Sequence, residues 1–210
     1  MGNCEQCIVK EISSLKSLSS QELKCVSEHK GEVFFEKGDV IFQEGAILNG
    51  VYCIKKGKCK LTKLSSNGKE QIVKFIKDGD MLGYRSVLGE EPVSLSVVAL
   101  EDMVACFIPK QNIFEALRQN RNFSKDLFKV VCHDLKDANT NIAAMAQKTV
   151  RERLAETLLF LDETFGEDKE GCIDLVLSRV ELSSVVGTAA ESAIRLLSEM
   201  KKDQVISLIG

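Results

Sequence analysis

Glu191 and Arg195 stand four residues apart in a chain of 210 residues. On a helix that spacing puts a carboxylate and a guanidinium on one face. On a solvated surface the two would form an ion pair. In the major groove of DNA the guanidinium can donate two hydrogen bonds to guanine O6 and N7, and the carboxylate can accept one from cytosine N4. A second candidate is Cys4-x-x-Cys7, whose spacing lets two thiolates chelate one metal, although zinc and iron–sulfur centres need about four ligands. Enzyme chemistry is not indicated. His29 and His133 stand alone in the sequence, nothing resembles a nucleophile elbow or a phosphate-cradling glycine loop, and the scattered carboxylates suit solvated faces.

The segment 178–206 must position Glu191 and Arg195, and it reads as two short helices pinched around a glycine. Ser178 can cap a first helix whose Glu181 reaches back to it, a capping box. Leu182, Val185 and Val186 supply that helix with an apolar side. Gly187 offers the permissive turn residue, and Thr188 or Ala189 starts a second helix in which Ile194, Leu197 and Met200 can pack inward. This is the layout of a DNA-reading helix-turn-helix, and equally that of a plain helical hairpin.

Upstream the rhythm changes. Between residues 31 and 109, short apolar-alternating runs such as Val40-Ile41-Phe42, Gly50–Ile54 and Lys60–Leu64 are punctuated by Gly38, Gly45, Gly57, Gly68, Gly79 and Gly83. Strands at this spacing predict an antiparallel sandwich or barrel. Asn67-Gly68 marks a hairpin, and Asp39 and Asp80, each after a glycine, mark tight corners. A short helix follows near Asn112–Arg118. Apolar residues then recur at Leu127, Val131, Leu135, Ala138, Ile142 and Met145, and Ser124–Thr149 holds neither Gly nor Pro. Such a helix would run about 39 Å. It is either a coiled-coil-like dimer seam or a core helix lying across its own domain.

Formal charge is 28 − 31 = −3, and residues 178–210 balance Arg179, Arg195, Lys201 and Lys202 against Glu181, Glu191, Glu199 and Asp203. Nucleic-acid binding would therefore rest on placed side chains rather than bulk attraction. No apolar run approaches the roughly 20 residues that span a bilayer, and the amino terminus lacks a secretory signal. Its Met-Gly-Asn-Cys start carries Gln6 where the myristoylation pattern wants Ser or Thr. The expectation is a cytoplasmic protein with no membrane partner, its eight cysteines mostly reduced.

These pieces occur in a telling order: Glu36–Gly45, Gly50–Lys58, Gly68-Lys69-Glu70-Gln71, Asp78-Gly79-Asp80-Met81-Leu82-Gly83, Leu177–Leu182, then Gly187-Thr188 and Glu191-Ser192. From about residue 12 to the end the chain resembles the cyclic-AMP receptor protein / fumarate–nitrate regulator (Crp/Fnr) family of bacterial transcription factors. The resemblance implies an α+β protein. Residues 1–121 would form an N-terminal antiparallel β-roll (a jelly-roll-like double-stranded β-helix) related to cyclic-nucleotide-binding domains. Residues 122–148 would form a dimerisation helix, and residues 149–210 a winged helix-turn-helix. It implies a homodimer that binds a near-palindrome of double-stranded DNA, acts on RNA polymerase and answers to a small-molecule effector of unknown identity. The DNA-binding set would be Ser178, Arg179, Thr188, Ala190, Glu191, Ile194 and Arg195, with Ser178, Arg179 and Thr188 on phosphates. The cyclic-AMP branch carries an Arg where this chain has Ala190, so fewer direct base contacts are expected. The chain stops at Ser207–Gly210, where the family continues into a β-hairpin wing, so truncation or loss of the wing is expected.

The resemblance places an effector pocket at Gly83, Tyr84, Arg85, Ser86, Ser94 and Leu95. Cyclic-AMP-binding relatives have a Glu after the turn's second glycine and an Arg-Ser pair some ten residues on, where this chain has Tyr84 and Ser94-Leu95. Cyclic AMP is therefore not expected. Arg85 with Ser86 suits another anion, or Arg85 is a solvated or structural residue. In the oxygen-sensing branch, amino-terminal cysteines and one distal cysteine hold an iron–sulfur cluster. Cys4, Cys7 and Cys106 match three positions, and Ser13 stands at the fourth. An iron–sulfur cluster or zinc at Cys4, Cys7 and Cys106 stays open, while Cys25, Cys53, Cys59, Cys132 and Cys172 read as small core hydrophobes. The rival reading is a ligand- or redox-sensing dimer of the same fold that no longer binds DNA specifically.

Overall fold

The computed structural model describes residues 14–28, 31–66 and 68–209. A 3-10 turn at Ser14–Ser17 and helix α1 (Ser20–Glu28) precede strands β1 (Gly31–Phe35), β2 (Val40–Phe42), β3 (Gly50–Lys56), β4 (Cys59–Leu64), β5 (Glu70–Ile76) and β6 (Met81–Leu82). Helix α2 (Tyr84–Gly89), strands β7 (Ser96–Ala99) and β8 (Met103–Pro109), and helices α3 (Lys110–Gln119) and α4 (Arg121–Gln147) follow. Helices α5 (Val150–Phe165), α6 (Arg179–Val186) and α7 (Ala190–Lys202) complete the order. The described residues divide into two compact units, one holding those up to Leu64 with Val73–Lys136, the other those of Ser65–Ile72 and from Asp137 on.

The strands form two four-stranded sheets, ordered β1-β8-β3-β6 and β2-β7-β4-β5, with antiparallel pairing. The central strands of the first sheet, β8 and β3, are covered on both faces, while β1 at its edge is largely exposed. Val51 and Cys53 of β3 enter a cluster with Leu15, Leu23, Val26, Ile113 and Phe123, whereas Ile54 enters a second cluster with Ile41, Cys59, Val97 and Met103. Strand β8 divides likewise, with Cys106 and Ile108 on one side and Met103 and Ala105 on the other. Burial on two faces makes both strands nearly continuous apolar runs instead of half-exposed alternations. Gly50 lets β3 approach β8, since a Cβ there would sit 2.2 Å from the Ile108 carbonyl oxygen. The Gly-Asp corners are closed by side chains: the Asp39 carboxylate accepts from the Glu36 N–H at 2.8 Å and that of Asp80 from the Lys77 N–H at 3.1 Å. Asn67 of the expected hairpin turn lies outside the described residues.

The long helix spans Arg121–Gln147, against the expected 122–148, and starts three residues before Ser124. Asn120 Oδ1 accepts from the Phe123 N–H at 2.9 Å, which caps the first turn. Ser124, within the first turn, turns its hydroxyl to the Leu117 carbonyl at 2.8 Å. At the far end Thr149 and Glu152 form a capping box that opens α5 and ends α4 at Gln147. Leu127 and Phe123 are buried in the first unit's core, whereas Phe128, Val131, Leu135, Ile142 and Met145 are exposed. The apolar stripe of α4 thus begins at Phe128 rather than Leu127, and it is left uncovered in the single chain. In the second unit Leu154, Leu161, Leu182, Val186, Ala193, Leu196, Leu197 and Met200 are buried. Among the described residues no helix is long and apolar enough to cross a membrane.

Candidate nucleic-acid interface

Ser178 Oγ accepts from the Glu181 N–H at 3.1 Å while Glu181 Oε2 accepts from the Ser178 N–H at 2.8 Å, so the capping box that opens α6 is formed. Gly187 closes the helix with φ 71 and ψ 51, a left-handed conformation that glycine adopts without strain. Its neighbours are held by a residue that sequence reasoning missed. From the first turn of α5, Arg153 donates from Nε to the Val186 carbonyl at 2.9 Å and from Nη1 to the Lys148 carbonyl at 2.8 Å. The guanidinium satisfies acceptors at the C-terminal end of α6. Nothing in the local sequence announces this, because the acceptor lies 33 residues along the chain.

The inner face of α6 is Leu182, Ser183 and Val186, so Ser183 takes the place expected for Val185. Its hydroxyl is satisfied by the Val180 carbonyl at 2.8 Å. Helix α7 begins at Ala190 with Ala189 as its N-cap and no side-chain cap hydrogen bond. Its buried face is Ala193, Leu196, Leu197 and Met200. The expectation that Ile194 packs inward is therefore corrected. One residue of rotation, about 100°, puts the small Ala193 against the core and leaves Ile194 46% exposed.

The outward face gathers Glu191, Ile194, Arg195 and Ser198, all exposed. Arg195 does not turn back to Glu191. Its Nη1 lies 2.6 Å from Glu199 Oε1, one turn further on, and Glu199 is also 3.7 Å from Arg151 Nη1. Both side chains of the Arg195 pair are largely solvated, so the pair contributes at most about 0.5 kcal/mol and releases Arg195 readily. Ala190 lies half-buried at the start of the same helix, and Arg179 and Thr188 are half-buried around the turn. The Ser178 hydroxyl is committed to its cap, donating to Glu181 Oε2 at 2.8 Å.

The expected effector residues divide. Gly83, at φ 80, caps the start of α2, and Tyr84 and Ser86 turn inward from it. The Tyr84 hydroxyl donates to the Asp134 carboxylate of α4, which also pairs with Lys74 of β5. Burial, then the hydrogen bond to Asp134, pushes the Tyr84 hydroxyl well above the ordinary tyrosine range. Arg85 points the other way, bonded to the Ser94 hydroxyl and 3.7 Å from Glu91 Oε1. Ser94 and Leu95 are half-buried. The structure thus brings Arg85 and Ser94 together and sends Tyr84 and Ser86 elsewhere.

Of the cysteines considered as ligands, Cys4 and Cys7 lie outside the described residues, as does Ser13. Cys106 is 5% exposed, directly across from Cys53 in the sheet, in surroundings that suit a core thiol. Cys59 is buried too, and that burial, with Asp80 near it, pushes its thiol up to about 12.

Two family models match. That for the cyclic nucleotide-binding domain covers residues 32–120, and that for the Crp-like helix-turn-helix domain covers residues 152–210. The fumarate and nitrate reduction regulatory protein of Vibrio cholerae is 24% identical over 213 residues, spanning 99% of this chain and 84% of the relative. The transcriptional activator protein Anr of Pseudomonas protegens is 26% identical over 218 residues, spanning 99% and 86%. Among solved structures, FixK2 from Bradyrhizobium japonicum has the same fold, with a TM-score of 0.76 at 24% identity over 86% of this chain and 89% of that one. The regulator CLP of Xanthomonas campestris, described as responsive to c-di-GMP, superposes with a TM-score of 0.75 at 16% identity over 91% and 96%. With a β-roll, a long helix and a capped helix-turn-helix in the family's order, this chain belongs to the Crp/Fnr family of DNA-binding transcription regulators.

Proposed function

We propose that this regulator works as a homodimer in the cytoplasm, reading a near-palindromic operator with α7 in the major groove of each half-site. The observation that carries this is the outward face of α7. It presents Glu191, Ile194 and Arg195 exposed in its first two turns, on a helix whose opposite face is fully engaged by the core. Arg195 reads a guanine and Glu191 a cytosine. Arg179 and Thr188 lie against phosphates and fix register, while Ser178 contributes mainly by keeping α6 capped. The uncovered stripe Phe128, Val131, Leu135, Ile142, Met145 is the seam along which a second copy packs, with half-sites about one helical turn apart.

Residues 1–121, 122–148 and 149–210 serve as sensor, seam and reader. RNA polymerase is the partner on the promoter. The effector acts on the β-roll, with Arg85 and Ser94 as the polar pair nearest to an anion site. Tyr84, already bonded to Asp134, stands where a ribose-binding carboxylate would be needed, which supports an effector other than cyclic AMP. Cys4 and Cys7 lie outside the described residues, and no step of this reading runs through a metal.

The test is selection of bound sequences from random duplexes by the full-length protein, followed by fluorescence anisotropy on the recovered operator. Wild type is expected to recover an inverted repeat. Arg195→Ala should lose about 1–3 kcal/mol of discrimination at one G·C pair per half-site. Unchanged affinity and selectivity in Arg195→Ala would remove the assignment. Sedimentation of Leu135→Glu/Ile142→Glu tests the seam: monomers are expected, and an intact dimer would place the interface elsewhere.

A further inference from the structure

Ile194 is an aliphatic side chain left 46% exposed on the face of α7 that also carries Glu191 and Arg195. The helix does not need it for packing, since Ala193, Leu196, Leu197 and Met200 form the buried face. Its own carbonyl is bonded by the Ser198 hydroxyl at 2.9 Å, so the neighbouring polar side chain is turned back onto the helix. What an isoleucine can read in a major groove is narrow. Guanine, adenine and cytosine present hydrogen-bond donors and acceptors there, and thymine alone adds an apolar group, its 5-methyl. A branched aliphatic chain pressed on a polar base edge would strip its water and return no hydrogen bond. Against the thymine methyl it buries carbon on carbon.

We infer that Ile194 is a specificity-determining residue that packs on the 5-methyl group of a thymine in each half-site. The inference rests on the reading of α7 as the recognition helix. From Glu191 to Arg195 the helix rises about 6 Å, less than two base-pair steps of about 3.4 Å. Ile194 is one residue from Arg195, so the thymine belongs to the base pair read by Glu191 or Arg195 or to an immediate neighbour. The pair of readouts differs in kind: Arg195 selects by hydrogen bonds that leave a polar edge unpaired when the base is wrong, and Ile194 selects by a single methyl group. The Arg195–Glu199 pairing of the free protein turns the guanidinium toward the C-terminal end of α7, away from Glu191, and Ile194 flanks Glu191 on the side opposite Arg195.

Replacing thymine by deoxyuridine removes that methyl and nothing else, so the experiment takes the selected operator and exchanges its thymines one at a time. Anisotropy titrations are run with wild type, Ile194→Ala and Ile194→Val, with circular dichroism to confirm that each variant is folded. At one thymine per half-site, the missing methyl should weaken wild-type binding about fourfold, or roughly fifteenfold when both half-sites are exchanged, the size expected for one buried methyl-sized group. Ile194→Ala should bind the thymine and uracil operators alike, and Ile194→Val should retain most of the difference. The inference is overturned if wild type tolerates uracil at every position, or if Ile194→Ala loses as much as wild type. With an operator in hand, either result leaves the regulator reading standing. If selection recovers no operator at all, the regulator reading fails and this inference falls with it.

Discussion

Helix α2 starts directly on a left-handed glycine, Gly83 at φ 80, and α7 starts three residues after one, Gly187 at φ 71, which closes α6, yet the two helices spend their polar side chains in opposite ways. On α2 the residues at the place of a ligand pocket already have partners within their own unit: Tyr84 holds Asp134, and Arg85 holds Ser94 beside Glu91. On α7 the corresponding outward residues are solvated, and the one ion pair among them, Arg195 with Glu199, is weak and exposed. A left-handed glycine turn ahead of a helix is therefore not a binding site by itself. What decides is whether the side chains that follow it are consumed by the fold or left for something outside it.

That contrast can be broken from either side. The largest effect is expected from the buried faces. Leu197→Ala, at a position 2% exposed, should cost about 2–5 kcal/mol, read as a lower urea midpoint for the helical unit. Arg195→Ala should leave the unfolding free energy of that unit within about 0.5 kcal/mol of wild type while removing about 1–3 kcal/mol of base discrimination, so binding and stability separate on α7. On α2 they should not separate in this way. Tyr84→Phe should cost about 1 kcal/mol of stability, because it deletes one hydrogen bond from a carboxylate that keeps Lys74.

The same variant sharpens the comparison through pH. Burial, the hydrogen bond to Asp134 and the charges of Asp134 and Asp80 raise the Tyr84 hydroxyl, while Arg85 lowers it slightly. An acid whose folded pKa is raised contributes stability that is intact below its unfolded value and is lost as the pH climbs through the folded one. Wild type should therefore lose stability from about pH 10 upward; in urea titrations between about pH 9 and 11.5 the slope should be shallower in Tyr84→Phe, with the raised Cys59 and Tyr52 contributing to both proteins. The smallest effect belongs to Arg85→Ala, within about 0.5 kcal/mol, since Arg85 and Glu91 are both more than half exposed.

Much of this was legible in the chain. The Ser178–Glu181 box, Gly187 and the Gly-Asp corners are local devices whose partners lie within a few residues, and the structure forms them. The glycine-spaced runs between 31 and 109 become the expected β-roll, and the Gly- and Pro-free stretch becomes the long helix. The misplaced helix faces share a cause, which is that adjacent positions compete for one face; Cys132, read as a core residue, is instead exposed. Ile194 with Leu197 and Ala193 with Leu196 fit helical periodicity about equally, and only packing shows that the small Ala193 takes the core. Leu127 and Phe128 present the same choice on α4. Arg195 has a carboxylate four residues away in each direction, Glu191 and Glu199, so spacing alone could not name its partner. Tyr84 with Asp134 and Arg153 with Val186 join residues far apart in the chain, and no local signal carries such pairs.

The central claim is that α7 reads sequence. It is tested most directly by measuring the affinity of the full-length protein for the selected operator and for a scrambled duplex of equal length, from low to moderate salt. The account predicts that both affinities fall as salt rises and that the operator binds at least about 10³-fold more tightly at physiological salt. Equal affinity for the two duplexes at every salt concentration, or no binding to either, would contradict it.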